Sequence, residues 1–116
     1  MSVVDDDESV RESLPDLLRE FGFEAIAFSR AEDFLSSDRL SQTKCLVLDI
    51  AMPGMSGLDL QQELRRRRES IPIIFITGHK DDANRELALR QGAAHFLYKP
   101  FSDISLLNAL DLAIPQ

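Results

Sequence analysis

Five side chains that can handle phosphate or a cation occur at separate points of this 116-residue chain, each at or just after the end of an apolar run. They are Asp5, Asp6, Asp49, Thr77 and Lys99. Three carboxylates held close together repel one another and raise their pKa values, so a site that keeps them ionised needs a cation. Mg²⁺ suits such an oxygen-only site, because it binds one or two carboxylates and leaves positions open for phosphate oxygens.

The lysine and the threonine add the means to hold a phosphoryl group. An ammonium and a hydroxyl can each bind one phosphoryl oxygen, while a metal ion takes a third and offsets the charge of an in-line transfer. One carboxylate then remains as the nucleophile, since an aspartate accepts a phosphoryl group as an acyl phosphate. Asp49 is the candidate, because it ends the apolar run Cys45–Asp49 and a loop, Ile50–Ser56, follows it.

Each of these residues also has an ordinary structural explanation. Asp5 and Asp6 can cap a helix, and Asp49 can stabilise a turn. Thr77 can begin a helix, and Lys99 can be a solvated lysine. Chemistry is indicated only by the conjunction of all five, which requires five distant segments to end at the same edge of one fold.

The apolar runs predict a sheet with one edge at which these five residues meet. Five of them alternate with helical patterns: Ser2–Asp5, Phe23–Phe28, Cys45–Asp49, Ile71–Thr77 and Ala94–Tyr98. Several are apolar almost continuously, as strands covered on both faces are. Strands alternating with helices predict an α/β fold with a parallel sheet and helices on both faces. Ligands of such sheets bind beyond the carboxyl ends of the strands, where all five polar side chains fall.

Periodic apolar residues predict five helices. The first carries a stripe at spacings of three and four, formed by Val10, Leu14, Leu17, Leu18 and Phe21. Gly22 is placed to end this helix, whereas Pro15 inside it predicts a kink or a break. The next three are predicted at Ala31–Ser37, Gly57–Arg68 and Asp81–Gln91. The last begins after the cap Ser102 and runs through Ile104, Leu107, Leu110 and Leu112.

The charge balance argues against nucleic acid as a direct partner. Twenty acidic and thirteen basic residues give a net charge of −7, which disfavours a phosphate-driven grip. The run Arg65–Arg68 does not change this, because successive helix residues point about 100° apart and cannot form one flat basic stripe. With Glu63 and Glu69 nearby, we interpret the run as a solvated, partly Glu-paired face.

Length, cysteine use and the N-terminus set the class of protein. At this length the chain fits a single domain, residues 1–116. The single cysteine, Cys45, lies in an apolar run and is interpreted as a buried hydrophobe in a reducing compartment. The N-terminus lacks the features of a signal peptide, and no apolar stretch approaches the roughly 18 residues of a membrane span. We therefore expect a soluble cytoplasmic domain without membrane contact.

Four motifs, taken together, resemble the receiver domain of two-component response regulators. They are VVDDDESVR, VLDIAMPGMSG, PIIFITGH and FLYKPF, in order and with ordinary spacings over essentially the whole chain. The forms ITGH and KPF are most similar to the FixJ-type subgroup, in which a helix-turn-helix DNA-binding domain usually follows. The resemblance implies a flavodoxin-like (βα)5 three-layer sandwich with a five-stranded parallel sheet of order 2-1-3-4-5. It also implies a C-terminal effector domain that is absent from this chain.

The resemblance implies a metal site formed by particular residues of this chain. It implies that Asp49 accepts a phosphoryl group from a sensor histidine kinase. Asp6 and Asp49 would bind Mg²⁺ directly, with Mn²⁺ as the alternative ion. Asp5 would act through water, and the backbone carbonyl of Ala51 would complete the protein ligands.

The resemblance also implies a conformational switch. Thr77 and Lys99 would hold the phosphoryl oxygens, and Thr77 and Phe96 would form the switch pair. Pro100 is a candidate for a cis peptide bond that aims the lysine inward. Phosphorylation would favour a homodimer through the fourth helix, the fifth strand and the fifth helix.

Some positions leave alternatives open. Ala51 and His79 depart from the commonest family pattern at places that tune the lifetime of the phosphoryl group, so that lifetime is not predicted. His79 and His95 are interpreted as surface or supporting residues rather than ligands. Glu86 and Arg90 can pair within the fourth helix or exchange partners across a two-fold interface, and we favour the intrahelical pair in the unphosphorylated monomer.

Three functional hypotheses remain. The first is a phospho-acceptor switch, which is not an enzyme beyond its own phosphorylation and dephosphorylation. The second is a magnesium-dependent phosphohydrolase, although such enzymes usually carry a second aspartate two residues after the nucleophile, where this chain has Ala51. The third is a receiver-like binding module that takes no phosphate. The complete set of five polar residues favours the first.

Overall fold

The protein is described by a computed structural model over residues 1–78 and 80–114. Within them lie the strands β1 (Ser2–Val4), β2 (Ile26–Phe28), β3 (Leu46–Asp49), β4 (Ile73–Thr77) and β5 (His95–Tyr98). The helices are α1 (Glu8–Glu20), α2 (Ala31–Leu35), α3 (Gly57–Arg66), α4 (Asp82–Arg90) and α5 (Asp103–Ala113), with a 3₁₀ turn at Leu40–Gln42. None of these helices is both long enough and apolar enough to cross a bilayer.

The sheet has the predicted topology. Its order is β2-β1-β3-β4-β5, and every pair of neighbouring strands is parallel. Short connections and right-handed crossovers place helices on both faces of such a sheet. The flavodoxin-like α/β architecture is therefore confirmed.

Two apolar cores lie on opposite faces of the sheet, because successive side chains of a strand point to opposite sides. On one face Val3, Val47 and Ile74 pack with residues of α1 and α5. On the other face a second cluster joins the sheet to α2, α3 and α4, and its members include Val4, Leu48, Phe75, Phe34, Leu60 and Ala88. Cys45 belongs to the first core, as predicted, and burial raises the pKa of its thiol to about 11.

Helix α1 runs unbroken through Pro15, so the predicted break is wrong. Proline inside a helix costs about 3 kcal/mol, because a hydrogen bond is lost and the preceding turn is crowded. Leu14 and Leu18 on either side are buried against the sheet, and burying one leucine contributes about 1.5–3 kcal/mol. Core packing thus outweighs the proline. The helix ends as predicted, with Gly22 at φ +94° and its N–H donating to the carbonyl of Arg19 at 3.0 Å.

Strands β2, β3, β4 and β5 begin later than predicted, whereas β1 begins at Ser2 as predicted. Strand β2 starts at Ile26 rather than Phe23, because the Phe23 N–H closes α1 by donating to the carbonyl of Leu18 at 3.0 Å. Strand β4 starts at Ile73 rather than Ile71, because Pro72 has no N–H to contribute to a ladder. The carboxyl ends, which carry the polar residues, lie close to their predicted positions.

The apolar pattern of α5 does not mark its buried face. Leu110 is buried as the period predicts, but Ile104 and Leu112 are 72% and 74% exposed. The face that packs on the sheet is formed instead by Leu106, Ala109, Leu110 and Ala113. An apolar surface therefore remains on the outside of α5.

The arginine run Arg65–Arg68 at the C-terminal end of α3 is partly neutralised, as predicted. Glu63 accepts hydrogen bonds from Arg66 and Arg67 at 2.6 Å, and these bonds lower the pKa of its carboxyl to about 2. Arg68 has φ 60°, the left-handed conformation that ends a helix and that glycine adopts without strain. Its N–H donates to the carbonyl of Arg65 at 3.0 Å, and the next N–H, of Glu69, reaches Leu64 at 2.9 Å.

Replacing Arg68 with glycine is expected to stabilise the fold. A left-handed conformation costs a non-glycine residue about 1–2 kcal/mol, part of which the greater freedom of glycine in the unfolded chain cancels. We expect Arg68→Gly to raise the free energy of unfolding by about 0.5–1 kcal/mol in urea titrations. Arg65→Gly inside α3 is the control and should lower it by about 1 kcal/mol. A destabilised Arg68→Gly would contradict the strain argument.

Candidate functional site

The candidate site is a pocket at the carboxyl edge of the sheet. Because the strands are parallel, β1, β3, β4 and β5 all deliver their last residues to this edge. The pocket has a volume of about 310 Å³. Its lining consists of Asp6, Asp7, Asp49, Ala51, Thr77, Gly78 and Lys99. The five polar residues singled out in the sequence are thus gathered in one place, with Asp5 buried beside the pocket.

Three carboxylates form the floor of the site. Each of Asp5, Asp6 and Asp49 places an oxygen so that all three atoms lie within 4.8 Å of one another. Asp5 and Asp49 are buried, whereas Asp6 is exposed. Burial, followed by the negative charge of Asp5, raises the pKa of Asp49 to about 7, and Lys99 only partly opposes this. The cluster therefore favours a bound cation, which would restore the ionised form of Asp49.

Lys99 is tied to the most deeply buried of these carboxylates. Its Nζ donates to Oδ2 of Asp5 at 2.8 Å, and Asp5 is fully buried. The other oxygen of Asp5, Oδ1, accepts from the backbone N–H of Asp7 at 2.9 Å. Burial by itself would lower the pKa of Lys99, but the hydrogen bond and charge of Asp5, together with Asp49, raise it. The lysine is held as a cation at the edge of the pocket.

Asp7 has a structural function at the start of α1. It is the N-cap residue, and its Oδ1 accepts from both the N–H and the hydroxyl of Ser9, at 2.9 and 2.7 Å. These hydrogen bonds lower the pKa of the Asp7 carboxyl. The cap makes α1 begin two residues after the pair Asp5 and Asp6, which fixes that turn beside Asp49.

The loop after Asp49 is fixed at its far end by the start of α3. Ser56 and Asp59 form a capping box, in which each side chain accepts the other residue's N–H at 3.1 Å. The N–H of Gly57 donates to the carbonyl of Ile50 at 3.0 Å. A Cβ on Gly57 would overlap the carbonyl oxygen of Asp49, so the helix can approach this backbone only through a glycine.

Gly57 is a site residue that the sequence reasoning missed. It was predicted only as the start of a helix, since a glycine close behind a proline and a serine reads as ordinary turn chemistry. The short sequence separation of Gly57 from Asp49 is a signal that it lies near the site. Its close contact with the backbone of Asp49, however, depends on tertiary packing. Gly54 in the same loop has φ +74° and lies against Glu32, so a Cβ there would come within 2.9 Å of Glu32 Oε2.

The remaining predicted residues lie around the pocket or behind it. Thr77 is buried at the end of β4 and lines the pocket. The Lys99–Pro100 peptide bond is cis. Phe96 does not line the pocket but is buried in the second core, with its ring centroid 6.2 Å from Phe75 and 5.4 Å from Tyr98. His79 lies outside the described residues.

A side-chain hydrogen bond joins helix α4 to strand β5. The Tyr98 hydroxyl donates to Oδ1 of Asp82 at 3.2 Å. The predicted pair of Glu86 with Arg90 is not formed, since none of the ion pairs in the described part of the chain joins them. Both side chains are exposed, where an ion pair gains little in water and costs side-chain freedom.

Comparison with known proteins identifies the family. A family model described as the response regulator receiver domain matches residues 1–111. The chain belongs to this family. Receiver domains are signalling domains.

Individual relatives agree with the family. Nodulation protein W of Bradyrhizobium diazoefficiens is 51% identical over 108 residues, which are 93% of this chain and 48% of that protein. The solved response regulator StyR is 49% identical with a TM-score of 0.89, over 97% of this chain and 57% of the other. The crystal structure of FixJ-N is 38% identical with a TM-score of 0.86, over 97% and 90% of the two chains. This receiver domain is therefore of the FixJ type, and it spans about half the length of the curated relatives it matches.

A methyl group at Gly57 is expected to disturb the receiver domain's fold at Asp49. Because the added Cβ would overlap backbone rather than a flexible side chain, Gly57→Ala should lower the free energy of unfolding by about 2 kcal/mol in urea. Gly78→Ala is the matched control, since a Cβ there meets nothing within 4 Å, and its stability should be close to wild type. Equal stability of the two variants would show that α3 can move away from Asp49 at little cost.

Proposed function

We propose that this receiver domain accepts a phosphoryl group on Asp49 from a histidine kinase, with Mg²⁺ bound, and thereby controls an attached effector domain. One observation carries the proposal. The carboxylates of Asp5, Asp6 and Asp49 lie within 4.8 Å of one another beside a pocket that Thr77 and Lys99 line. A purely structural role does not explain why a fold would bring three like charges and a partly buried lysine to one edge.

The donor set fits Mg²⁺, with Mn²⁺ as the alternative. All side-chain donors are carboxylate oxygens, which hard cations prefer. Asp6 and Asp49 would bind the ion directly, together with the backbone carbonyl of Ala51. Both oxygens of Asp5 already accept hydrogen bonds, from Lys99 and Asp7, which supports contact through water rather than directly. When bound, the ion would offset the carboxylate charge and bind a phosphoryl oxygen.

The residues of the chain supply the rest of the chemistry. A carboxylate oxygen of Asp49 attacks the phosphorus of a phosphohistidine, the P–N bond breaks, and its electron pair remains on the imidazole nitrogen. The product is an acyl phosphate on Asp49. The Lys99 ammonium and the Thr77 hydroxyl bind two of the phosphoryl oxygens, and burial of the site strengthens both interactions. Ala51 has no side chain that could direct a hydrolytic water, so other groups must determine the lifetime of the acyl phosphate.

The domain is a switch rather than a turnover enzyme in this proposal. Phosphorylation places new negative charge beside Thr77, which would draw in its hydroxyl and open space that Phe96 can fill. The affected surface is formed by α4, β5 and α5. The effector would be DNA-binding, as the FixJ-type kinship suggests, while the net charge of −7 argues against direct contact of this domain with nucleic acid.

Labelling with a small phosphoryl donor tests the acceptor site. We expect acetyl phosphate and Mg²⁺ to add one phosphoryl group per chain, detected by intact mass, and EDTA to abolish labelling because the carboxylates then repel the donor. Asp49→Asn should not be labelled. Asp16→Asn is the matched control, since Asp16 is exposed and, among residues 1–78 and 80–114, forms an ion pair with Arg19 alone, and it should label as wild type.

The same experiment separates the competing functions. Stoichiometric labelling confined to Asp49 supports the switch. Rapid release of many phosphates per chain would instead indicate a phosphohydrolase. No labelling under these conditions would leave a binding module that takes no phosphate.

The phosphorylated domain is expected to dimerise through the α4, β5 and α5 surface. Ile104 is 72% exposed on α5, and Leu89 on α4 is 39% exposed. Burying such side chains is the main source of association energy, so Ile104→Arg should weaken dimerisation of the phosphorylated chain at least tenfold, or about 1.4 kcal/mol, in sedimentation velocity. Glu86 and Arg90, unpaired with each other in the monomer, would pair across the two-fold axis.

The control for the dimer surface lies at the other edge of the sheet. Gln42 is exposed in the 3₁₀ turn and lines a groove with Ile26 of β2, the edge strand opposite β5, so Gln42→Arg adds the same charge without touching the proposed interface. It should dimerise as wild type does, and both variants should be labelled on Asp49 normally. Equal effects of the two substitutions would place the dimer elsewhere.

A further inference from the structure

The loop between β3 and α3 is fixed at its two ends but has few attachments in its middle. Strand β3 holds one end, and the capping box that begins α3 holds the other. Among residues 1–78 and 80–114, no backbone–backbone hydrogen bond involves the stretch 51–55. Met52 and Met55 pack against the second core but are only partly buried. The carbonyl of Ala51 belongs to this stretch, so a group that braces the loop from outside affects where that carbonyl lies.

Glu32 of helix α2 lies against the middle of this loop. A Cβ on Gly54 would come within 2.9 Å of Oε2 of Glu32 and 3.9 Å of Nη2 of Arg30. The loop backbone can approach the carboxylate this closely only because residue 54 has no side chain. Oε1 of Glu32 is buried and has no hydrogen-bond partner in the described part of the chain. Helix α2 and the loop thus meet at this carboxylate.

The carboxylate of Glu32 is kept ionised where it meets the loop. Arg30 donates from Nη2 to Oε2 at 2.9 Å. The N–H of Glu32 itself, this hydrogen bond, the charge of Arg30 and the backbone N–H of Met55 lower the pKa of the carboxyl. Met55 does so without reaching the geometry of a hydrogen bond, since Oε1 has no partner. The contact therefore sets a negative charge beside a backbone N–H of the loop.

The position of Glu32 in its helix accounts for only part of this arrangement. Glu32 and Asp33 both lie in the first turn of α2, where the helix dipole favours a negative charge. The exposed pair of Arg30 with Glu32 adds little stability in water. Neither effect requires contact with the loop. Asp33 is exposed and forms no ion pair within the described residues, so contact with Gly54 distinguishes Glu32 from its neighbour.

We propose that Glu32 is a positioning residue for the cation site, bracing the loop that carries the carbonyl of Ala51. This inference rests on the proposed function, which assigns that carbonyl to the cation. Glu32 does not line the pocket at Asp49, so it would act through the loop rather than by contact with the ion. Groups behind the ligands of a metal typically change its affinity about 10–100-fold when they are removed.

Titration of the unphosphorylated chain with MgCl₂, followed in ¹H–¹⁵N NMR spectra, tests this brace. We expect Glu32→Ala to raise the Mg²⁺ dissociation constant about tenfold, because the loop then holds its ligand less well. Asp33→Ala is the matched control, since it removes the same charge from the same turn, and it should bind Mg²⁺ as wild type does. Glu32→Gln keeps the length and an oxygen acceptor, and it should restore the affinity to within about threefold of wild type.

A double-mutant cycle locates the effect at the contact with Gly54. Gly54→Ala crowds the carboxylate of Glu32 from the loop side and should weaken Mg²⁺ binding in the wild-type background. It should weaken binding much less in the Glu32→Ala background, where the carboxylate is gone. The strain of an alanine at φ +74° is common to both backgrounds and cancels in the cycle. Equal effects of Gly54→Ala in the two backgrounds would contradict the brace.

The remaining outcomes separate this inference from the proposed function. Unchanged Mg²⁺ affinity of Glu32→Ala, with or without lower stability in urea, would overturn the positioning role, as would an equal loss in Asp33→Ala. The proposed function would survive either result if the wild-type chain binds Mg²⁺ and is labelled on Asp49 by acetyl phosphate. A wild-type chain that neither binds Mg²⁺ nor is labelled would overturn both.

Discussion

The molecule depends on how it tolerates three carboxylates at one edge of its sheet. Asp49 is buried next to the charge of Asp5, which raises its pKa to about 7. Lys99, 94 residues away from Asp5 in the chain, supplies the compensating charge at 2.8 Å. This pair joins the first strand to the end of the fifth, so the electrostatic balance of the site requires the complete sheet. A cluster that is unfavourable without a cation is well suited to bind one, since the repulsion is relieved only on binding.

The scaffold makes this arrangement rigid. Apolar cores on both faces fix the strands, and the loops after β1 and β3 are fastened where they enter α1 and α3. Asp7 and Ser56 cap the helices that follow β1 and β3, and the close approach of Gly57 sets the distance between α3 and the backbone of Asp49. Small clusters of charge need such support, because a shift of about 1 Å changes electrostatic and positional contributions substantially.

Sequence reasoning predicted the features that follow from local pattern and topology. The parallel sheet, the alternation of strands with helices and the gathering of Asp5, Asp6, Asp49, Thr77 and Lys99 follow from buried strands that end in polar residues, whereas the strand order came from the resemblance to receiver domains. It failed where packing decides between local alternatives. Pro15 did not break α1 because its neighbours are buried.

The predictions for α5 and for the region of α3 and α4 failed for the same reason, which is that packing decides which side chains are buried. Ile104 and Leu112 fit a helical period but are exposed, because alanines at 109 and 113 allow the opposite stripe to approach the sheet. Burial of Gln61 was not predictable, since glutamine is usually exposed and its bond to Ala88 spans 27 residues. The role of Gly57 likewise depends on a contact between backbones that no spacing rule encodes.

The packing of Phe96 favours a two-state response of the surface to the proposed phosphorylation of Asp49. Its ring lies between Phe75 and Tyr98 in a dense core, where a partial rotation would leave both a void and a clash. The ring can therefore move only where space opens beside it, and the proposed movement of Thr77, on the neighbouring strand β4, would open such space. Tyr98 links the aromatic cluster to the surface, because its hydroxyl donates a hydrogen bond to Asp82 at the start of α4. A change in the aromatic cluster must then either break that bond or move α4 with it, and both alter the surface proposed for dimerisation.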